Sequence, residues 1–233
     1  MARRSLSARV RGRVPLEARH AVLSVINSPF DLHRGGLPFG QPGRRTSVEL
    51  VTAMAGARRF RTPLGVLLYA LACAPESGVV AEFGVYSGDT LRRIAARRPN
   101  AYGFDSFQGL PENWRGKYRR GAFAVDRVPH VPGAVLHVGW FEDTIGPFLS
   151  EIPGPAAFLH LDADLYSSTA TVLGAFEDRI VPGTVLVFDE YFNYPGWQWH
   201  EHRAFEEFLG RTGKKFDYLA YNSRGQQVAV RIR

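Results

Sequence analysis

One cysteine occurs among the 233 residues of the chain, and no apolar run approaches the ~18 residues that would cross a membrane. Cys73 by itself forms no intramolecular disulfide, and its position in the apolar run GVLLYALACA indicates a buried thiol. The N-terminus carries arginines but no apolar segment behind them, so a cleaved secretory signal is not expected. These absences favour a cytoplasmic protein without a membrane span.

Lysine is missing from the first 61 residues, which hold 12 arginines and only three acidic residues. The remaining residues are nearly balanced at a charge of −2, so the net charge of +7 comes from the N-terminus. Residues 1–45 are predicted to form a basic arm, which could meet nucleic acid, a membrane surface or an acidic partner. The arm lacks aromatic residues interleaved with its arginines for stacking on bases, so we expect it to be solvated and not to bind nucleic acid.

Short apolar runs alternate with helical patterns from residue 63 onward. Strands are predicted over 79–83, 101–105, 135–138, 156–161, 183–188, 216–221 and 227–232. Helices are predicted over 63–74, 89–97, 141–149, 167–179 and 202–210, and a further helix near Ser47 would open an N-terminal helical extension. The alternation predicts an α/β fold with a doubly wound, mostly parallel, seven-stranded sheet. The last two strands have only five residues between them and should form an antiparallel hairpin.

Four acidic residues follow two of the apolar strands directly. Asp162 and Asp164 come after AAFLHL, and Asp189 and Glu190 come after GTVLVF. Ligands of open α/β sheets bind outside the carboxyl ends of the strands, so the four carboxylates should lie close together. Neighbouring carboxylates repel each other unless a positive group joins them, which favours an oxygen-binding divalent cation. Helix capping is the alternative role, and it is most natural for Asp164 because that residue lies closest to the next helix.

The turn after the first predicted strand, EFGVYSG, contains Gly84 and Gly88, which permit a tight turn and close approach of a ligand. Its spacing is neither the G-x-G-x-x-G of dinucleotide sites nor a phosphate-binding loop. Asp105 ends the second strand 21 residues after Gly84, where an acid suits ribose hydroxyls, although a turn or capping role is an equal alternative. Glu82 before the turn disfavours a pyrophosphate and suits a cofactor with an ammonium group.

Five phrases in fixed order carry a family resemblance: EFGVYSGDT, YGFDSFQGLPENW, GWFEDT, HLDADLYSST and PGTVLVFDEYFNYPGWQ. The sequence between about residue 48 and residue 210 resembles the macrocin O-methyltransferase family (TylF-like and MycE-like enzymes). The family consists of class I S-adenosylmethionine-dependent methyltransferases with a Rossmann-like fold, which act on sugars and phenols of natural products. The resemblance implies a methyltransferase domain over residues 46–233 and a small-molecule hydroxyl acceptor.

The resemblance also implies roles for particular residues. The cofactor would be held by Glu82, Gly84, Tyr86 and Ser87 at its methionine end, by Asp105, Ser106 and Phe107 at its ribose, and by Gly139, Trp140 and Phe141 near its adenine. Asp162, Asp189 and Glu190 would bind Mg²⁺, and Asp164 would be the general base. The family usually has two aspartates where this chain has Asp189 and Glu190.

Aromatic and histidine residues around these motifs leave further alternatives. Aromatic side chains crowd the stretch after Glu190 and form either an acceptor-binding wall or the packing of a long loop: Tyr191, Phe192, Tyr194, Trp197 and Trp199. His160 is expected to be a core or near-site histidine, and His200 and His202 at i, i+2 are not expected to form a metal site.

Two other functions remain open at this point. An Asp-x-Asp motif after an apolar strand also occurs in metal-dependent glycosyltransferases, and the arginine-rich arm would suit a non-catalytic nucleic-acid-binding module. The acceptor and the oligomeric state, with a homo-oligomer among the alternatives, are not determined by the sequence.

Overall fold

A computed structural model of the chain describes residues 50–233. The predicted basic arm, residues 1–45, and the start of the helix predicted near Ser47 lie outside the described residues. Residues 50–53 are helical, and the first strand begins a few residues later. The domain boundary at residue 46 therefore stays a prediction.

Eight strands and five α-helices follow within residues 54–233. The strands are β1 Arg58–Phe60, β2 Val79–Phe83, β3 Ala101–Asp105, β4 Ala134–Val138, β5 Ala156–Leu161, β6 Val185–Phe188, β7 Phe216–Asn222 and β8 Val228–Ile232. The helices are α1 Pro63–Cys73, α2 Asp89–Ala95, α3 Phe141–Glu151, α4 Tyr166–Ala175 and α5 Glu201–Thr212, with a 3₁₀ turn over Trp197–Trp199. The predicted α/β class is confirmed, and no helix in this part of the chain is long and apolar enough to cross a membrane.

The strands form one sheet in the order β1-β7-β8-β6-β5-β2-β3-β4. Strand β8 runs antiparallel to both of its neighbours, as the predicted hairpin requires, and the other pairings are parallel. The chain builds outward from β2 through β3 to β4 and then returns to β5 on the other side of β2. This reversal between β2 and β5 is the topological switch point at which open α/β sheets bind ligands.

The sheet has more strands than the seven that were predicted. The additional strand, β1, has only three residues and pairs in parallel with β7. Its sequence Arg58-Arg59-Phe60 lacks the apolar run or alternation that identifies a strand, because it lies at an exposed edge. Strand β6 is shorter than predicted: Gly183 has a φ of 98°, and the Thr184 hydroxyl donates to the Ala156 carbonyl at 2.7 Å.

Apolar side chains fill both faces of the sheet. One buried cluster contains stacked and edge-on rings, among them Phe83, Phe104, Phe148 and Phe176, against helices α3 and α4. The other cluster packs α1 and α2 against the opposite face. Strand β5 is buried throughout, which explains its continuous apolar sequence. Because β5 lies at the rigid centre of the sheet, it fixes the position of Asp162, which directly follows it.

Helix α5 begins against an aromatic cluster near the end of β6. The His202 ring packs 4.9 Å from the Tyr191 ring and 4.6 Å from the Trp197 ring, measured between centroids. Burial lowers the pKa of His202 from 6.5 to about 4. A neutral imidazole is therefore favoured in the folded protein, and protonating it costs stability.

We predict that His202 makes the protein less stable in mild acid. Because its folded-state pKa lies below the unfolded value, its contribution is complete above pH 6.5 and is lost as the pH falls towards 4. The free energy of unfolding should fall by roughly 2 kcal/mol between pH 7 and pH 5 through this group. Urea unfolding of His202→Phe should show a correspondingly smaller fall, and an unchanged fall would contradict this assignment.

Candidate functional site

The acidic residues after β5 and β6 meet at the carboxyl edge of the sheet. The Asp162 N–H donates to the Phe83 carbonyl of β2, and the Asp189 N–H donates to the Leu161 carbonyl of β5, each at 2.9 Å. The parallel ladder thus continues one residue past each strand. This backbone pairing brings together two side chains that are 27 positions apart in the sequence, as the motif pattern predicted.

A group of potential metal-binding side chains includes three residues at this edge. One donor atom each of His160, Asp162 and Asp189 lies within 4.8 Å of the others. Glu190 does not belong to this group, although its side chain lines the adjacent cleft. His160 was expected to be a core or near-site histidine, and its position two residues before Asp162 on one strand face explains why it points to the same place.

Electrostatic repulsion at this edge is strong. Burial, followed by the charge of Asp189, raises the pKa values of Asp162 and Glu190 well above their ordinary range. Burial alone would raise the pKa of Asp189, but His160 lowers it below its ordinary value. Burial would likewise lower the pKa of His160, but the carboxylates of Asp189 and Glu82 raise it well above 6.5. A divalent cation fits this site, since it would replace repulsion with attraction.

Asp164 has a backbone conformation that sets it apart from the other acids. Its φ of 61° lies in the left-handed region, which aspartate tolerates better than most residues. Helix α4 is capped by Leu165 without any side-chain hydrogen bond, so Asp164 does not cap it. Burial raises the pKa of Asp164 to about 7, against the opposing charge of Arg115. The strained turn directs its carboxylate into the cleft.

The glycine turn after β2 is held by Asp105 at the end of β3. One carboxylate oxygen accepts the backbone N–H groups of Val85 and Tyr86, both at 2.8 Å, and the other accepts that of Phe107 at 2.7 Å. The turn role that was an alternative for Asp105 is therefore present. The carboxylate also lines the cleft, so its role in ribose binding stays a prediction.

Gly84 is required by the approach of another backbone segment. A Cβ atom at this position would lie 1.8 Å from the Asp162 carbonyl oxygen, and the residue has a φ of 94°. The turn for the predicted cofactor and the strand end that carries Asp162 are therefore in direct contact. Any side chain at position 84 would push them apart.

Glu82 lies beneath this turn and is fully buried. Its Oε1 atom accepts a hydrogen bond from Nδ1 of His160 at 2.9 Å, while its Oε2 atom has no partner among the described residues. The two side chains face each other because Glu82 and His160 are paired across β2 and β5. Glu82 does not line the cleft, so its predicted contact with the cofactor is not visible in the geometry.

A cleft of about 580 Å³ opens at the switch point. This volume is within the usual range for small-molecule sites. Ten of the predicted site residues line it: Gly84, Tyr86, Asp105, Ser106, Gly139, Trp140, Phe141, Asp162, Asp164 and Glu190. Four do not: Glu82, Ser87, Phe107 and Asp189.

One wall of the cleft comes from a segment to which the sequence assigned no site residue. Residues 109–123 contribute Trp114, Arg115, Tyr118 and Phe123. The Arg115 guanidinium lies 4.1 Å from the Trp114 ring centroid and 3.9 Å from that of Tyr194, and it donates to Gln226 at 3.0 Å. The motif YGFDSFQGLPENW, which extends to Trp114, was the available signal.

The aromatic residues after Glu190 mainly serve packing. Their rings are buried with the exception of Trp199, and none of the five lines the cleft: Tyr191, Phe192, Tyr194, Trp197 and Trp199. Tyr194 reaches the site indirectly, by supporting Arg115. The packing alternative thus describes this stretch better than an acceptor-binding wall.

Another residue that the sequence did not single out is Glu201 at the start of α5. Its side chain is fully buried, and its Oε2 atom accepts the backbone N–H of Glu190 at 3.0 Å. Burial raises the pKa of Glu201 well above its ordinary range. This contact fixes the backbone after β6, where Asp189 and Glu190 stand.

Known proteins share this fold. A family model described as a methyltransferase domain matches residues 81–191. The calicheamicin methyltransferase CalS11 is 25% identical, with a TM-score of 0.59 over 99% of this chain and 98% of its own. The O-methyltransferase NovP has the same fold, with a TM-score of 0.52 and 21% identity over 71% of this chain and 78% of its own.

A curated relative from Streptomyces olivaceus matches in sequence. This enzyme, 8-demethyl-8-(2,3-dimethoxy-alpha-L-rhamnosyl)-tetracenomycin-C 4'-O-methyltransferase, is 28% identical over 130 residues. The match covers 45% of this chain and 44% of the relative, so less than half of the relative's length is represented.

The switch-point cleft, its glycine turn and these matches are typical of the class I S-adenosylmethionine-dependent methyltransferase fold. The matched relatives include O-methyltransferases, which agrees with the resemblance of the motifs to the macrocin O-methyltransferase family. The comparisons therefore favour a methyltransferase over the glycosyltransferase alternative.

We predict that Gly84→Ala disables the site. The added methyl would meet the Asp162 carbonyl and force a shift of both the turn and the strand end. Affinity for S-adenosylhomocysteine, measured by calorimetry, should fall by at least tenfold. Gly146→Ala is the matched control, because Gly146 lies in α3 with open space around it. Similar affinities for the two variants would contradict the role of this contact.

Proposed function

We propose that the protein is an O-methyltransferase that transfers a methyl group from S-adenosylmethionine to a hydroxyl group of a natural-product sugar, with the help of a divalent cation. The observation that carries the proposal is the position of Asp162 and Asp164 in the cleft next to the glycine turn. The match to a methyltransferase family model supports the cofactor, and the activities of the tetracenomycin and calicheamicin enzymes support a sugar acceptor.

The cofactor would occupy the cleft between the ends of β2, β3 and β4. Gly84 and Tyr86 would face its methionine part, and Asp105 and Ser106 its ribose. Gly139, Trp140 and Phe141 would surround the adenine, where ring and backbone surfaces exclude water. Glu82, Ser87 and Phe107 do not line the cleft and would support the residues that do. S-Adenosylmethionine supplies a methyl group on a sulfonium, whose departure as a neutral thioether needs no acid.

The cation proposed from the sequence is Mg²⁺, held by Asp162 and Asp189, with Glu190 next to them. Its charge would favour the ionised form of an acceptor hydroxyl. Asp164 would accept the proton of that hydroxyl, because it lines the same cleft two residues further along the chain. Fixing the acceptor oxygen in line with the methyl group would supply much of the remaining acceleration.

The acceptor would lie against the segment 109–123. The Arg115 guanidinium packs against the Trp114 and Tyr194 rings and donates to Gln226, so its donor atoms have a fixed direction. The Trp114 indole N–H has no hydrogen-bond partner within the described residues. Donors and flat rings together suit an oxygen-rich ring such as a sugar. A cytoplasmic location and the oligomeric state stay predictions.

The role of Asp164 is tested by Asp164→Asn. We expect turnover to fall by roughly 10² to 10⁴, because an amide cannot accept the proton. Affinity for S-adenosylhomocysteine should change by less than about twofold, since the residue serves the acceptor side. Methyl transfer to a panel of sugar-bearing acceptors measures the first quantity and calorimetry the second. Activity like that of the wild type would refute the base assignment.

The role of Arg115 is tested by Arg115→Gln. Loss of a fixed, charged donor should raise the acceptor KM by about tenfold to a hundredfold, with little change in cofactor affinity. Lys117→Gln is the matched control, because Lys117 is an exposed cation of the same segment. An acceptor KM that stays the same in both variants would remove Arg115 from the acceptor site.

A further inference from the structure

His160 lies between the predicted cofactor turn and the carboxylates at the edge of the sheet. It is 2% exposed and belongs to β5, between Glu82 of β2 and the end of β6. An imidazole at the centre of a sheet must have partners for both of its nitrogen atoms, because water does not reach them. The two nitrogen atoms of His160 have different surroundings.

The Nδ1 atom is committed to Glu82, to whose carboxylate it donates at 2.9 Å. This bond fixes the orientation of the ring and turns Nε2 towards the other side. There the Asp189 Oδ1 atom lies 3.9 Å away, which is longer than a hydrogen bond. Donor atoms of His160, Asp162 and Asp189 are nevertheless all within 4.8 Å of one another, a separation that a shared metal ion could bridge.

Glu190 lies beside this group without belonging to it. Its backbone N–H donates to the buried Glu201, and its carboxyl group is close enough to Asp189 to help lower the pKa of that residue. In many metal sites one ring nitrogen of a histidine donates to a carboxylate, which fixes the orientation of the ring, while the other binds the metal ion and releases its proton. Glu82 and His160 reproduce that arrangement on two adjacent strands.

We propose that His160 Nε2 is the third protein ligand of the metal site, together with Asp162 and Asp189, and that Glu82 positions its ring. This inference rests on the proposed function, since it concerns the same cation. A site with one nitrogen and two carboxylate ligands binds transition metals such as Mn²⁺ or Co²⁺ more tightly than Mg²⁺. The predicted set of Asp162, Asp189 and Glu190 contains only oxygen and would show a smaller preference.

The two oxygen atoms of the Glu82 carboxylate have different surroundings. Its Oε1 atom orients the metal ligand, while its Oε2 atom is buried without a partner among residues 50–233, directly before the glycine turn. A change at Glu82 should therefore weaken metal binding even though Glu82 is not itself a ligand. This distinguishes a positioning residue from a ligand in the experiment below.

Pulsed electron paramagnetic resonance of the full chain loaded with Mn²⁺ tests the ligand set directly. The wild type and His130→Asn, which changes an exposed histidine, should both show coupling of the metal to a ¹⁴N nucleus. His160→Asn should lose that coupling. Glu82→Gln should keep it while the Mn²⁺ affinity falls by about tenfold to a hundredfold. A wild-type spectrum without nitrogen coupling overturns the proposal, whatever the stability of the variants.

Calorimetric titrations with Mn²⁺ and Mg²⁺ provide the second measurement. The wild type should bind Mn²⁺ at least tenfold more tightly than Mg²⁺, and His160→Asn should lose most of that preference. Equal affinities in the wild type would overturn the proposal in favour of an all-oxygen site. Failure of the proposed function would look different, namely no binding of S-adenosylhomocysteine and no methyl transfer in the metal-loaded protein.

Discussion

The contact between the end of β2 and the end of β5 is the constraint on which the rest of the site depends. Gly84 lies against the Asp162 carbonyl, and the Asp162 N–H is bound to Phe83. These contacts occur at the switch point, where the sheet opens for a ligand. Because the cofactor turn and the acidic edge share one backbone contact, neither can move without the other.

Buried charge is the second organising feature. Glu82, Asp162, Asp189, Glu190 and Glu201 lie within one region at the edge of the sheet, where burial penalises their charged forms. Hydrogen bonds from His160, Gln227 and a backbone N–H offset part of this penalty. Ionisable groups with strongly shifted pKa values cluster at functional sites, and a bound cation is the simplest explanation for buried carboxylates at this edge.

Many features of the fold followed from local patterns. The ranges of β2, β3 and β5 were predicted correctly because each is a short, mainly apolar run in the parallel part of the sheet. Strand β1 was missed because its three residues form only through pairing with β7. Asp162 and Asp189 were found because they follow apolar strands. Arg115 and Glu201 were not, because no local pattern distinguishes a charged residue that packs at the site from a solvated one, and the motif before Arg115 ends one residue short of it.

The sequence by itself determined the fold class, the resemblance to a methyltransferase family and the edge of the sheet at which the acidic residues gather, since these depend on apolar periodicity and on motifs of adjacent residues. Only the tertiary structure decided which side chains share that edge. It placed His160 beside Asp162 and Asp189 in the group of potential ligands, showed the Asp105 carboxylate holding the turn, and brought Arg115 to the wall of the cleft. The physical reason is that strand register and loop packing join residues far apart in the chain, and no local pattern records those distances.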